Sequence, residues 1–151
     1  MRILMAADHG GFLLKEGLKK ALSSVVPPAW TIEDLGSYNA DPCDYPLFAE
    51  KLARRLPRES GKAYGVLICS SGIGMSIAAN RYRHVRAALC FNEETSIMAR
   101  RHNDANVIVF GAGFVDVTAA FGCLLRFLET AFDGDERHQR RLALVESLSK
   151  E

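Results

Sequence analysis

The segment with the most evident chemistry is Cys69-Ser70-Ser71-Gly72-Ile73-Gly74. It follows an apolar run and passes directly into a stretch with helical character. In a turn of this composition, successive backbone N–H groups can form an anion-binding nest, and a cysteine at a helix N-terminus is favoured as thiolate. The segment therefore predicts a reactive cysteine that faces a hole for a negatively charged oxygen. The alternative is that Cys69 is a small buried hydrophobic residue at a strand end.

Three well-known motifs with a similar turn do not match this segment. A phosphatase loop has Arg where this chain has Met75, and a Walker loop needs Gly-Lys-Ser or Gly-Lys-Thr, which is absent. The dinucleotide fingerprint would use Gly72 and Gly74, but Ile77 stands in place of its third glycine. Phosphatase, nucleotide and dinucleotide motifs are therefore not indicated.

A second polar turn, Asp8-His9-Gly10-Gly11, follows the first apolar run of the chain. Asp8 and His9 can orient a hydroxyl and face an anion. The two glycines allow a tight turn that brings a ligand near a helix N-terminus. The alternative is an aspartate N-cap beside a surface histidine.

Two further motifs lie in the second half of the chain. In the segment 101–106, His102 can act as acid and base near neutral pH, and Asn103 can hold a ligand hydroxyl. The alternative for both is capping of a helix C-terminus. Arg137 and Arg141 are four positions apart, so on a helix they share one face and suit a phosphate group. The alternative for the arginines is a solvated run of charge.

Short apolar runs alternating with longer amphipathic stretches must position these residues. The apolar runs predict strands at 2–6, 30–35, 64–68, 85–89 and 107–110. Helical spacing predicts helices between them, and a last helix from about 137 to 149. This alternation indicates an α/β fold: a three-layer, doubly wound, Rossmann-like five-stranded parallel sheet with helices on both faces. Ligands of such sheets gather beyond the carboxyl ends of the strands, so we expect the chemistry in the loops after strands one, three, four and five.

Length and composition limit the class of protein. The chain has 151 residues, the size of one domain, and a formal charge of +1, which supplies no field for nucleic-acid binding. No membrane span or signal peptide is expected, because the uncharged stretch 63–80 is broken by the Ser/Gly turn and the first apolar run is short. The four cysteines lack a CxxC spacing, so we interpret them as reduced thiols in a cytoplasmic protein.

Taken together, these motifs closely resemble the ribose-5-phosphate isomerase B family, which includes galactose-6-phosphate isomerase relatives. The resemblance rests on the four polar segments, on the whole run 69–80 and on Asp44-Tyr45-Pro46, and it covers nearly the whole chain. It implies an aldose-ketose isomerase of the pentose phosphate pathway that interconverts D-ribose 5-phosphate and D-ribulose 5-phosphate without a metal or cofactor. It also implies an active site between two subunits of a homodimer or tetramer. Two alternatives remain: an isomerase of allose or galactose 6-phosphate, and a non-catalytic sugar-phosphate or nucleotide-binding module.

The resemblance also implies individual roles. Cys69 would be the base that moves the carbon-bound proton, His102 would open the sugar ring, and Ser71 would help to move a proton between two sugar oxygens. The positions matched to substrate binding supply backbone amides or polar side chains, and they are Asp8, His9, Ser70, Gly72, Ile73, Gly74, Asn103, Arg137 and Arg141. Of these, the amides at 70–74 would form the hole for the enediolate, and the two arginines would bind the phosphate.

The chain departs from the family pattern at three positions. Met75 stands where some relatives have a glutamate base, which strengthens the assignment of the base to Cys69. Ser70 replaces a glycine of many relatives, which keeps the backbone donor but crowds the site. Gly113 stands where others have a phosphate-binding arginine, and Arg140 is a candidate substitute for that contact.

Overall fold

The computed structural model describes residues 1–58 and 63–148 of the chain. These residues include β1 (Arg2–Ala7), β2 (Thr31–Asp34), β3 (Ala63–Cys69), β4 (Ala87–Leu89) and β5 (Val107–Gly111). All neighbouring strands are parallel, in the order β2-β1-β3-β5-β4. The chain therefore winds outward from β1 in both directions, and the predicted five-stranded, doubly wound parallel sheet is confirmed.

Helices cover both faces of this sheet. They are α1 (Phe12–Ser23), α2 (Tyr45–Arg55), α3 (Ile73–Ala79), α4 (Glu93–Asn103), α5 (Val117–Glu129) and α6 (Glu136–Leu148). Along β1, Ile3 and Met5 pack in one core with α1 and α5, whereas Leu4 and Ala6 pack in a second core with α2 and α3. Such burial on both faces is what a parallel sheet with crossover helices requires. The predicted C-terminal helix is α6, and residue 149 lies outside the described part.

Most predicted strand boundaries agree with the structure to within one residue, and two larger differences have a physical cause. The strand predicted at 85–89 begins only at Ala87, because the Arg86 amide donates to Asn106 Oδ1 at 2.8 Å. The segment with His102 and Asn103 is the last turn of α4, which continues through both residues, rather than part of a loop after the fourth strand. Asp104 follows with a φ of 42° and ends the helix in a left-handed conformation.

The loop after β2 is fixed beside β1 by a buried lysine. Lys15 of α1 is fully buried, and its Nζ donates to Asp34 Oδ1 at 2.5 Å and Oδ2 at 2.6 Å. Lys19 bonds the same carboxylate, and the Gly36 amide donates to it at 2.9 Å. Burial alone would raise the pKa of Asp34, but these hydrogen bonds outweigh burial and lower that pKa below its usual value. The Gly36 carbonyl in turn accepts the Ala7 amide at 2.7 Å.

Candidate active site

The turn after β1 is held against the end of β3. Asp8 is buried; its amide donates to the Ile68 carbonyl at 3.2 Å, and its Oδ1 accepts the Gly11 amide at 3.0 Å. A Cβ at Gly11 would lie 2.5 Å from the Ile68 oxygen, so a side chain there would prevent this approach. The Asp8 carboxylate therefore fixes the turn, and the N-cap of α1 is Gly11 rather than Asp8.

His9 extends from the same turn toward the loop that precedes α2. Its Nδ1 lies 3.2 Å from both the amide nitrogen and the carbonyl oxygen of Cys43. The ring is exposed to solvent. These contacts hold an accessible imidazole at the carboxyl edge of the sheet, where it can meet a polar ligand.

The chain after Cys69 forms a turn of backbone donors. Cys69 is buried at the last position of β3, and its Sγ accepts the Gly72 amide at 3.1 Å. Gly72 has a φ of 77°, and a Cβ there would lie 2.4 Å from Leu89 Cδ1, so the turn requires glycine. The Ile73 amide donates to Ser71 Oγ at 3.3 Å, and the next amides of α3 have no acceptor inside the helix. The turn can therefore stabilise a negatively charged oxygen next to the sulfur.

Two residues next to this turn affect its chemistry. Met75 is fully buried in the core, so the position that carries a glutamate base in some relatives offers no titratable group here. Tyr45 lies over Gly74, where a Cβ would be 2.6 Å from the Tyr45 Cζ. The local sequence around Tyr45 indicates no role for it, because its contact with residue 74 arises only when α2 packs against α3. We call residues 8, 9 and 69–74 the carboxyl-edge cluster.

The other predicted residues lie at the opposite edge of the sheet. Helix α4 starts beyond the carboxyl end of β4 and runs back, so His102 and Asn103 lie just before β5 begins. The His102 ring stacks on His138 of α6, with ring centroids 4.6 Å apart and an interplanar angle of 10°. Arg137 and Arg141 lie one turn apart on α6. We call these five residues the amino-edge cluster.

Polar contacts hold the start of α6 against α4. Arg101 Nε donates to both carboxylate oxygens of Asp133 at 3.1 Å, and the Asp133 amide donates to the Arg101 carbonyl at 3.0 Å. His138 is buried, and burial lowers its pKa. The charges of His102, Arg137 and Arg141 lower the pKa of His138 further, against the opposite effect of Asp135. The local sequence indicates no role for His138, and no local pattern pairs it with His102.

A single chain keeps the two clusters apart. Cys69 is paired in register with Gly111 at the end of β5, whereas His102 precedes Val107 at the start of that strand. The steps from Val107 to Gly111 alone span about 13 Å, at roughly 3.3 Å per residue. The predicted position beyond the carboxyl ends of the strands is therefore confirmed for residues 8–11 and 69–74. It is wrong for His102 and Asn103, because a segment between a crossover helix and the next strand lies at the amino edge.

The two positions considered for an additional phosphate contact are also separated. The Gly113 amide donates to the Ser70 carbonyl at 2.9 Å, and a Cβ at Gly113 would lie 3.2 Å from that oxygen. Gly113 therefore belongs to the carboxyl edge, next to the exposed Ser70 side chain. Arg140 is exposed on α6, the helix of the amino-edge cluster. Within one chain Arg140 does not occupy the position of a residue 113 side chain.

Three further properties of the described residues concern metal binding, membrane spans and the cysteines. Residues 1–58 and 63–148 contain no group of three or more His, Cys, Asp or Glu side chains that could hold a metal ion. Over the same ranges, no helix is both long and apolar enough to cross a membrane. Cys43, Cys69, Cys90 and Cys123 are free thiols.

The similarity of this chain to known proteins extends over the residues of both clusters. A family model described as Ribose/Galactose Isomerase matches residues 3–145 of the chain. Ribose-5-phosphate isomerase B of Escherichia coli is 31% identical over 150 residues, with 99% of this chain and 97% of that protein covered. The crystal structure of a ribose 5-phosphate isomerase from Thermotoga maritima has a TM-score of 0.88 at 40% identity, covering 97% of each chain. Ribose-5-phosphate isomerase B from Mycoplasma genitalium with bound ribulose-5-phosphate has a TM-score of 0.90 at 36% identity, covering 99% of this chain and 97% of that one.

Proposed function

The chain belongs to the ribose/galactose isomerase family and is an aldose-ketose isomerase, and we propose that Cys69 and His102 carry its interconversion of D-ribose 5-phosphate and D-ribulose 5-phosphate. One observation carries the proposal: the buried Cys69 sulfur accepts the Gly72 amide at 3.1 Å, at the mouth of a turn of backbone donors. Removing a proton next to a carbonyl requires a base and fixed donors for the developing oxyanion, and this turn supports both requirements.

The proton transfers follow from this arrangement. The Cys69 thiolate takes the proton from C2 of the open-chain aldose, and the C1 carbonyl oxygen gains negative charge as the enediolate forms. Amides of the turn 70–74 that are not already bonded to the Cys69 sulfur or the Ser71 hydroxyl, including that of Gly74, donate to that oxygen without reorganising. With the Ser71 hydroxyl as carrier, the proton of the C2 hydroxyl passes to the oxygen at C1. Cys69 then returns its proton to C1, which leaves a carbonyl at C2 and completes the ketose.

The sugar must be opened before this step, and we assign ring opening to His102. Asn103 holds a sugar hydroxyl, and Arg137 and Arg141 bind the phosphate, which is remote from the reacting carbons and supplies binding energy to orient them. Asp8 and His9 contact the sugar from the carboxyl-edge cluster. No metal or cofactor takes part in the proposed reaction.

Because the clusters lie at opposite edges of one sheet, we propose that each active site combines the carboxyl edge of one copy with the amino edge of a second copy. The smallest such assembly is a homodimer with two equivalent sites, and a tetramer can be built from two dimers. Exposed apolar side chains at the carboxyl edge support this contact; they include Leu13, Ile73, Ile77 and Phe114.

The setting of the enzyme is also a proposal. A pentose phosphate substrate suits the pentose phosphate pathway. The four free cysteines support a reducing compartment such as the cytoplasm.

Isotope exchange and a substrate comparison test the function. In deuterated water, we expect deuterium to enter the sugar phosphate at carbon, because the proton held by Cys69 exchanges with solvent between the two transfers. A binding module without a base would leave the carbon-bound protons in place.

We expect kcat/KM to be higher for ribose 5-phosphate than for allose or galactose 6-phosphate, and the reverse order would assign the chain to the six-carbon substrates.

A further inference from the structure

His138 is the least accessible side chain of the amino-edge cluster. It lies on the inner side of α6, and its ring is stacked on His102 with a centroid separation of 4.6 Å. Its neighbours in sequence, Arg137 and Gln139, are both exposed. A buried imidazole between a phosphate-binding arginine and the ring-opening histidine has contacts that the mechanism above does not use.

The contacts of His138 define its protonation state. Arg137 Nη2 lies 3.3 Å from His138 Nε2, and a guanidinium group can only donate hydrogen bonds. Nε2 must therefore offer a lone pair, which places the single proton of a neutral imidazole on Nδ1. The competing partner of Nε2 is Asp135 Oδ2, at 4.0 Å, which is too far for a hydrogen bond. The pKa of His138 is also lowered, which likewise favours the neutral imidazole.

We propose that neutral His138 is a positioning residue, which orients His102 through the stacked ring and Arg137 through its Nε2. The proposal rests on the function assigned above. It means that one side chain connects phosphate binding with ring opening. Binding of the phosphate to Arg137 then fixes the same imidazole against which His102 is aligned.

The charges around the pair explain why His138 must stay neutral. The charged and titratable groups that influence it are His102, Asp133, Asp135, Arg137 and Arg141. A proton on Nε2 would face the Arg137 guanidinium, and the resulting cation would face His102 while that ring carries its own catalytic proton. Protonation of His138 would therefore remove the acceptor that holds Arg137 and would place a positive charge against the His102 ring.

Two substitutions separate the two contacts in the full-length enzyme. His138→Phe keeps an aromatic ring for the stack but removes the acceptor, so we expect KM to rise about tenfold with kcat nearly unchanged. His138→Gln keeps an acceptor but removes the ring, so we expect kcat to fall about tenfold with a smaller change in KM. Gln139→Ala is the matched control on α6, and it should change neither constant. Equal effects of both variants on kcat and KM, or no effect, would overturn the proposal.

A measurement of the protonation state of His138 does not depend on activity, and its first part needs only the wild-type protein. Nitrogen NMR of the histidine rings should show the His138 proton on Nδ1 at neutral pH, and Arg137→Ala should raise the pKa of His138. A protonated His138 at neutral pH would contradict the positioning role. An unchanged His138 pKa in Arg137→Ala would contradict it as well. If the wild-type protein shows this tautomer but no isomerase activity, the proposed function fails while the contacts of His138 stand.

Discussion

Cys69 and His102 lie at opposite edges of the same sheet, one at the carboxyl end of β3 and the other just before the amino end of β5. If both act on one sugar, two copies of the chain must share each site. We therefore expect inactive Cys69→Ala and His102→Asn proteins to complement each other when mixed. Each mixed dimer has one intact site and one doubly altered site, so random exchange restores about a quarter of wild-type activity. No recovery after verified subunit exchange would place both residues in one chain's site.

Replacing Cys69 should remove catalysis without removing the fold. We expect Cys69→Ala to lower kcat by a factor of about 100 to 10,000, the usual contribution of a positioned base. Cys90 is the matched control, since burial raises the pKa of its thiol to about 11 and leaves it protonated at neutral pH. Cys90→Ala should keep its kcat. Steady-state kinetics and thermal melting of both variants check this prediction, and substantial turnover by Cys69→Ala would exclude it as the base.

The phosphate site should depend on one face of α6. Arg137→Ala should raise KM by roughly 10- to 100-fold, the effect of losing a charge-assisted hydrogen bond. Arg140 is about 100° away from Arg141 around the helix, so Arg140→Ala should change KM by less than about threefold. Initial-rate measurements with ribose 5-phosphate compare the two. A rise for Arg140→Ala as large as that for Arg137→Ala would identify Arg140 as the substitute for the missing contact at Gly113.

Stability should depend on pH through His138. Its pKa in the folded protein is lowered from the ordinary value of 6.5, so the unfolded chain binds a proton there before the folded chain does. The free energy of unfolding should therefore fall as pH drops through about 6.5 toward the lowered pKa, and this contribution should level off below it. Urea unfolding of the wild type and His138→Gln measures the effect. The slope against pH should be smaller in the variant, and identical slopes would contradict the expectation.

The buried ammonium of Lys15 should be needed for stability. Lys15→Met leaves Asp34 without its most buried partner, and we expect a loss of about 3 kcal/mol in the free energy of unfolding. Lys20 is exposed on the same helix, so Lys20→Met should stay within about 0.5 kcal/mol of wild type. Chemical denaturation compares the pair. Equal stabilities would mean that Lys19 alone can satisfy Asp34.

The sheet could be predicted because each strand is a short apolar run and each crossover has helical spacing. The turn at 69–74 was also predictable, since its Ser/Gly composition lies between an apolar run and a helical stretch, and Gly72 takes a left-handed position there. The stack of His102 on His138 was not predictable, because it depends on how α6 docks on α4. The same reason applies to Tyr45 over Gly74. Local spacing therefore identified the segments with chemistry, while the pairing between segments came from tertiary packing.

The separation of the two edges has a consequence for dilute enzyme. Under the proposed assembly an isolated chain carries two incomplete halves and converts no substrate. At concentrations well below the dimer dissociation constant, the number of complete sites grows with the square of chain concentration, so the activity per chain rises in proportion to concentration. Catalysis is then governed by the association equilibrium between copies. Newly synthesised chains are inactive until they bind a second copy.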